Sequence, residues 1–557
     1  MRSPRTLPQA LAQAARAGSG YWFVAGRDAD GARETFRSYA DVQHAAWCVA
    51  RSLREAGLQR GDVVALVLPD AEAFLTTLFG ASMAGLVPAS IHPPASIAER
   101  ERHVDLVAPL IRQSGARALI TSSDLVPHFE RIRTTCADLA MMLTPDALDA
   151  PASEPDVEPA LHDIAFVQYT SGSTSTPKGV VLTHANVCAN VDAINGPSGL
   201  ATASGDVAVS WLPLNHDMGF VGMALGPLYS ACTGVLMPPA LFVRRPVEWL
   251  RAITRHHGSI SFAPNFGFDV CVRRVKPQDL EGLDLSSWRI AGCGAEPIHA
   301  ATIEAFAQRF AAVGFRESSL FPSYGLAEHV LAATFPMRDH RPSTETVSID
   351  ALNDRRAAAP SGEEDAAVTL VGCGRPFPGH AIRIVDDEGR ALPERAVGEI
   401  VLAGPSVMLG YYKHDALTAQ TIRDGWLHTG DLGYVSGGEL FVCGRAKDVI
   451  IVNGRKYYPQ DLEWAVDELA GVRRGRVVAF GTSERGRADR VVIVVEPSGT
   501  VATDALAETI RRQVGSMFGL YVDEVAVVPS GTVGRTTSGK VQRAATRRRY
   551  EELRAGG

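Results

Sequence analysis

Between Tyr169 and Gly179 the chain reads Tyr-Thr-Ser-Gly-Ser-Thr-Ser-Thr-Pro-Lys-Gly, a run of hydroxyl side chains broken by glycine and closed by a lysine. An apolar run ends at Val167–Tyr169, and another resumes at Val180–Leu182. Hydroxyls and flexible backbone N–H groups at this density wrap the oxygens of a polyphosphate, and Lys178 adds a positive charge. Thr170, Ser171, Gly172, Ser173, Thr174 and Lys178 are therefore the candidate phosphate ligands. The segment is not a Walker loop, because Lys178 is followed by Gly179 and a strand rather than by Ser or Thr and a helix. Standing alone, the same composition also describes an ordinary Ser/Thr/Gly hairpin.

Company in the sequence decides between these readings. YTSGSTSTPKGVVLTH (Tyr169 to His184) resembles the phosphate-binding motif of the adenylate-forming superfamily of acyl-CoA synthetases, luciferases and nonribosomal-peptide adenylation domains. Four more stretches similar to its motifs follow in order: PSYGLAE (Pro322 to Glu328), WLHTGDLG (Trp426 to Gly433), GRAKDVIIVNGRKYYPQDLE (Gly444 to Glu463) and TTSGK (Thr536 to Lys540). Within the superfamily the wording is most similar to the fatty acyl-AMP ligases. SWLPLNHDMGF (Ser210 to Phe220), APNFGFDVCVRR (Ala263 to Arg274), LDLSSWRIAGCGAEP (Leu283 to Pro297) and VGCGRPFPG (Val371 to Gly379) carry that likeness. Asn215 departs from it, standing where the branch commonly has an aromatic residue before His-Asp. The long connection from Glu328 to Gly372 resembles an insertion of that branch, which restrains the domain rotation needed for coenzyme A.

The resemblance implies an activity: a fatty acid is activated with ATP to acyl-AMP, releasing pyrophosphate, and the acyl group passes to the phosphopantetheine thiol of a separate acyl carrier protein. Coenzyme A is the alternative acceptor. ATP and Mg2+ are the implied cofactors. Attack of a carboxylate on the α-phosphorus brings two anions together, so the site must supply positive charge and fixed donors. Lys540 matches the family lysine that bridges carboxylate and α-phosphate; alone, it would read as an exposed lysine near a basic tail. Glu328 matches the residue that helps hold magnesium, with Thr174 as its hydroxyl partner. Asp431, in a Thr-Gly-Asp turn, offers two acceptor oxygens to the ribose hydroxyls, and Arg445 matches the arginine that reaches ribose and phosphate. Gly294-Ala295-Glu296 and Ser323-Tyr324-Gly325 resemble the walls of the adenine slot. His216, beside Asp217, matches the residue between adenylate and acyl tunnel. Asp448 matches the hinge. Phe262, Phe266, Phe268 and Val270 alternate around Gly267 as in a strand or tunnel wall, so Phe266, Gly267 and Phe268 are assigned to the acyl pocket. A catalytically dead acyl-nucleotide sensor is the reading from another class, and the joint presence of Lys540, Glu328, Asp431 and Arg445 argues against it.

These residues must be positioned by more than one core, since 557 residues exceed what a single one supports. Apolar runs at Asp62 to Pro69 and Ala118 to Thr121 alternate with helical spacing at Ala71 to Gly85, which predicts an α/β sheet flanked by helices. Closely spaced β-like runs at His380 to Val385, Gly398 to Ala403, Leu440 to Cys443 and Val449 to Val452 predict a β-rich subdomain. Pro336 to Asp365 shows little apolar periodicity and reads as irregular. From Tyr458 on, helix and strand patterns form a small α+β unit, so the expected division is 1–447, an adenylation domain, and 448–557, a mobile lid. Residues at 46% apolar and 21% charged, with no membrane-length apolar stretch, describe a soluble chain without stable membrane insertion, and the cytoplasm is the default location. A net charge of -7 leaves no footprint for nucleic acid, and the eight scattered cysteines read as small buried hydrophobes. The only dense basic cluster, Arg543 to Tyr550, is a candidate docking surface for an acidic carrier.

Overall fold

Two seven-stranded sheets flanked by helices carry most of the computed structural model, which describes residues 5–28, 31–94, 100–155, 157–170, 177–360, 362, 366–452, 454–482, 490–499, 501–536 and 539–555. The first sheet runs Leu320–Pro322, Ile290–Cys293, Ile260–Ala263, Val207–Ser210, Thr233–Leu236, Gly20–Asp28, Gly31–Ser38, and every neighbouring pair is parallel except the last. The second runs Gly410–Tyr411, Lys178–Thr183, Ile164–Thr170, Val87–Ser90, Val63–Val67, Ala118–Thr121, Met141–Leu143. Its strands from Ile164–Thr170 onward are parallel, while Lys178–Thr183 turns back antiparallel. Strands buried on both faces read as continuous apolar runs, and Val63–Val67 is buried at every position. The expected α/β architecture is what the chain builds.

Polar residues place the helix starts. Ser38 and Asp41 form a reciprocal cap for the helix Tyr39–Glu55, and Thr183 with Asn186 does the same for His184–Asn195. Pro264 ends the strand Ile260–Ala263, and a helix, Asn265–Arg274, begins immediately. The alternation read as strand or tunnel wall between Phe262 and Val270 is thus corrected. Only Phe262 is on a strand; on a helix, residues two apart point to different sides.

The β-rich part is an antiparallel sheet of Ala381–Val385, Gly398–Ala403, Trp426–Ser436 and Ile422–Arg423, with Glu439–Arg445 added beside Trp426–Ser436. The C-terminal part has its own sheet, in which Arg490–Pro497 lies between antiparallel Val472–Thr482 and parallel Glu524–Val527. Helices Pro459–Asp467, Thr503–Phe518 and Arg543–Ala555 pack with it, and the middle one stops at Gly519, which takes the left-handed conformation at φ 58°.

The stretch expected to be irregular contains a strand, Thr344–Ser348, paired with Ala367–Val371, and a short helix, Ile349–Asn353. Its sequence hides this because the strand buries only its end and interleaves Glu345 with threonines. Glu345 is the anchor: it accepts from Arg395, the Tyr434 hydroxyl and the Ser436 hydroxyl. Ile349 meanwhile joins the C-terminal core of Ile450, Tyr457 and Leu462, and Asn353 Oδ1 accepts the Lys456 N–H at 2.9 Å. No helix among the described residues is long and apolar enough to cross a membrane. Seven of the eight free cysteines are buried, Cys48 being half-buried.

Candidate functional site

Four of the segments singled out in the sequence leave the same edge of one sheet. In the parallel order Val207–Ser210, Ile260–Ala263, Ile290–Cys293, Leu320–Pro322, the carboxyl ends continue into Trp211–Asp217, Pro264–Phe266, Gly294–Glu296 and Ser323–Gly325. Crevices beyond the carboxyl ends of parallel strands are where open α/β sheets bind ligands. The second sheet contributes the carboxyl end of Ile164–Thr170, from which the phosphate-loop sequence departs. Together with the β-rich sheet and the C-terminal part, these edges enclose a cleft of about 1610 Å³.

Lys540 enters that cleft on a tight turn: the Thr536 N–H donates to Lys540 O at 2.8 Å, the Gly539 N–H donates to Thr536 O at 2.9 Å, and Gly539 has φ 86°. Its ammonium lies 2.8 Å from His216 Nε2, and His216 Nδ1 is 2.5 Å from Asp217 Oδ1. An Nδ1–H donated to Asp217 leaves Nε2 as the acceptor for the ammonium. Burial pulls Lys540 below the ordinary lysine range, against the attraction of Asp217 and Glu296. For Asp217 burial works the other way, but its close contact with His216 and then the Lys540 ammonium outweigh it and hold the carboxyl below its usual range. Glu296 is pushed up by burial, although its carboxylate accepts the Phe266 N–H at 2.6 Å.

Across the cleft, a β-hairpin makes Asp431 and Arg445 register partners. Asp431 Oδ1 accepts Arg445 Nε–H at 3.1 Å and Oδ2 accepts the Tyr324 hydroxyl at 2.8 Å. Asp431 raises the Arg445 pKa, while burial, then Asp431, raises that of Tyr324. Each carboxylate oxygen retains a second lone pair, so Asp431 can still accept ligand hydroxyls. Gly294 and Gly325 are needed as glycines, because a Cβ on either would meet backbone oxygens of Ser323 and Leu331. Ala295, between Gly294 and Glu296, takes φ 67°.

Glu328 sits on the single turn Ala327–His329; its carbonyl accepts the Met408 N–H at 2.9 Å and its carboxylate accepts the Tyr411 hydroxyl at 2.8 Å. Burial, then Glu328, raises the Tyr411 pKa. Val330, two residues on and fully buried, has φ 65°, a costly conformation for a β-branched side chain. Lys178 Nζ lies over the Tyr411 ring at 4.9 Å, so this tyrosine touches both the phosphate-loop lysine and Glu328. Nothing in the sequence around Tyr411 marks it, since its partners are remote along the chain. For magnesium, Glu328 is the candidate carboxylate, and the described residues hold no cluster of three or more His, Cys, Asp or Glu. That donor set fits an ion whose other ligands are phosphates and water. Ser171, Gly172, Ser173 and Thr174 lie outside the described residues, as does the Thr170 side chain.

The assignments to the acyl pocket need correction. Phe268 is fully buried among Trp249, Trp288 and Phe306, away from the cleft. A Cβ on Gly267 would touch Trp211 and Ala263 rather than the cleft. Phe266 does line the cleft, edge-on to Trp211 at 5.8 Å. Apolar residues that do line the cleft include Ile194, Leu200, Met218, Phe262 and Phe335. Asp448 lies on the turn Ala446–Asp448, 3.6 Å from the Arg543 guanidinium. Of the basic cluster, Arg547 pairs with Glu551 and Arg549 donates to the carbonyls of Gly531 and Thr532, while Arg548 lines the cleft.

Comparison with known proteins gives these features a context. The model of the family described as AMP-binding enzyme matches residues 12–412, and one described as Disco-interacting protein 2-like, AMP domain, matches residues 447–555. A Caulobacter vibrioides protein provisionally named acyl-CoA synthetase is 37% identical, over 92% of this chain and 90% of its own length. Medium-chain-fatty-acid–[acyl-carrier-protein] ligase JamA of Moorena producens is 33% identical, with 92% and 90% covered. Long-chain-fatty-acid–AMP ligase FadD26 of Mycobacterium marinum is 34% identical, with 94% and 92% covered. A structure from work on fatty acyl-adenylate ligases of E. coli and L. pneumophila matches at TM-score 0.92 and 34% identity, covering 99% of each chain.

Proposed function

The chain belongs to the AMP-binding enzyme family, and on that premise we propose that it converts a fatty-acid carboxylate and ATP to acyl-AMP and pyrophosphate, then passes the acyl group to the phosphopantetheine thiol of an acyl carrier protein. The observation that carries this reading is the position of Lys540, 2.8 Å from His216 at the carboxyl edge of the sheet. The fatty acid is ionised at neutral pH, so the first step needs no base. A carboxylate oxygen bonds to the α-phosphorus, the bond to the bridging oxygen breaks, and pyrophosphate leaves with the electron pair. Lys540 and Arg445 supply positive charge where negative charge accumulates. Asp431 holds the ribose, the Gly294–Glu296 and Ser323–Gly325 segments flank the base, and Lys178 with the loop before it holds the phosphates. Magnesium held by Glu328, with Thr174 as its hydroxyl ligand, would neutralise the phosphate oxygens. In the second step the thiol loses its proton, sulfur attacks the acyl carbon, and AMP departs.

Acyl-carrier transfer draws support from the name of JamA and from the Thr344–Asn353 segment, whose hydrogen bond from Lys456 and whose Ile349 in the C-terminal core tie that part to the rest. The Caulobacter relative's name favours a second reading, transfer to coenzyme A. A division at 447/448 between adenylation domain and lid belongs to the same proposal. The test supplies ATP, Mg2+ and straight-chain fatty acids of graded length, and measures pyrophosphate release, acyl-AMP and then acyl transfer to holo-carrier or coenzyme A. Carrier loading well above coenzyme A acylation is expected. Pyrophosphate release with no acid would sink the adenylation reading, and faster coenzyme A acylation would replace the acceptor.

A further inference from the structure

The loop that carries Lys540 rests on an aromatic ring. A Cβ built on Gly539 would fall inside the van der Waals shell of Phe266 Cζ, Cε1 and Cε2, so the glycine backbone lies directly against the ring. The Arg535 guanidinium is 5.9 Å from the same ring and donates to Gly539 O at 2.7 Å. Phe266 is itself fixed: its N–H, in the first turn of the helix Asn265–Arg274, donates to the Glu296 carboxylate at 2.6 Å, and its edge meets Trp211. A carboxylate at a helix N-terminus is well placed to hold that turn. A second contact lies nearby, where Trp464 of the C-terminal part stacks on His299 at 4.6 Å and 28°. His299 is in turn held by its N–H to Asn265 Oδ1 at 3.1 Å, so both contacts rest on one helix start.

We propose that Phe266 is a positioning residue, the seat on which the Lys540 loop closes, and that its ring, with the His299–Trp464 stack, holds the C-terminal part in the orientation that makes the adenylate. This deepens the functional reading above and rests on it for the kinetic effect. Gly539 is required twice, for its left-handed φ of 86° and for the space against the ring. The second requirement exists only while Phe266 is present, and that distinguishes a seat from a general structural role.

The test is a double-mutant cycle of Phe266→Ala and Gly539→Ala with two readouts. The first, independent of any activity, is the rate at which acetyl N-hydroxysuccinimide ester labels Lys540, followed by mass spectrometry. Each single variant is expected to raise that rate at least fivefold over the parent, and Gly539→Ala to raise it at least threefold less in the Phe266→Ala background than in the parent, the remainder coming from its φ. The second is the ratio of acyl-AMP formation to thiol transfer from supplied acyl-AMP, expected to fall at least tenfold in each single variant at an ATP KM within threefold of the parent. Equal Gly539→Ala effects in both backgrounds, or unchanged Lys540 labelling, overturn the proposal. So does a Phe266→Ala protein whose ratio holds while its preferred chain length shifts, which would make Phe266 a wall of the acyl pocket. A parent that releases no pyrophosphate sinks the functional reading alone, because the labelling cycle still decides the seat.

Discussion

The ammonium of Lys540 lies against His216 within the attraction of Asp217 and Glu296, so its site is balanced between burial and opposing charge. Taken alone, Lys540 would read as an exposed loop lysine; the structure places it, partly buried, in the cleft. Lys540→Ala is still expected to leave thermal stability within about 1 kcal/mol, because the charge it removes is one that burial disfavours. Acyl-AMP formation should fall by about 100-fold or more, the scale on which one transition-state donor is felt. Transfer from supplied acyl-AMP should fall less than tenfold, and equal losses in the two half-reactions would reject the assignment. Lys540, His216, Asp431 and Arg445 could be singled out because their motifs resemble those of a known family, and the structure brings them to one cleft. Tyr411, which links Lys178 to Glu328, and Phe266 in its role under Gly539 were not, because both depend on pairs far apart along the chain.

Elements carry the same lesson. Apolar runs such as Ala118–Thr121 could be read to their boundaries, since burial on both faces writes itself into local composition. Asn265–Arg274 was misread because alternating aromatics in so short a helix mimic a strand, and Thr344–Ser348 was missed because its stability comes from Glu345 and its partner strand. The helix His184–Asn195 makes a further expectation. His184 is 1% exposed, and its Nδ1 accepts the Leu7 N–H at 3.1 Å, which requires the neutral ring. Burial, opposed by Asp163, lowers its pKa from 6.5 to about 4. Between these values the unfolded chain takes up the proton and the folded one does not. Stability is therefore full above about pH 6.5 and is lost as pH falls toward 4, by roughly 3 kcal/mol from this group. Burial lowers His103 to about 4 and His329 to about 3, and both add to the same slope. Urea midpoints measured from pH 4 to 7.5 should show a shallower acid loss in His184→Asn than in the parent; parallel curves would refute the assignment.

On the scale of the whole molecule, the contacts between the C-terminal part and the rest include Lys540 with His216, Gly539 with Phe266, Trp464 with His299 and Lys456 with Asn353. We propose that between the two steps the C-terminal part turns about the connection near Asp448, since short terminal segments absorb such φ/ψ change. Asp448→Pro, which fixes φ, should slow transfer at least tenfold more than adenylation, and a variant with both steps intact would show that the pivot lies elsewhere. Arg547, Arg548 and Arg549 changed together to Glu should slow carrier loading in a salt-dependent way and leave acyl-AMP formation nearly unchanged, unless the docking surface is another. The stack on His299 has an optical consequence. Trp464 is the sole tryptophan after residue 426, and six others lie in the N-terminal part. With those six replaced by phenylalanine, or with Trp464 alone carrying a 5-fluoro label, its emission or fluorine resonance follows the ring as it leaves the imidazole for water. Under the proposed turn about Asp448, Trp464 is a built-in indicator of which half-reaction the enzyme is poised for, readable during turnover without an added dye.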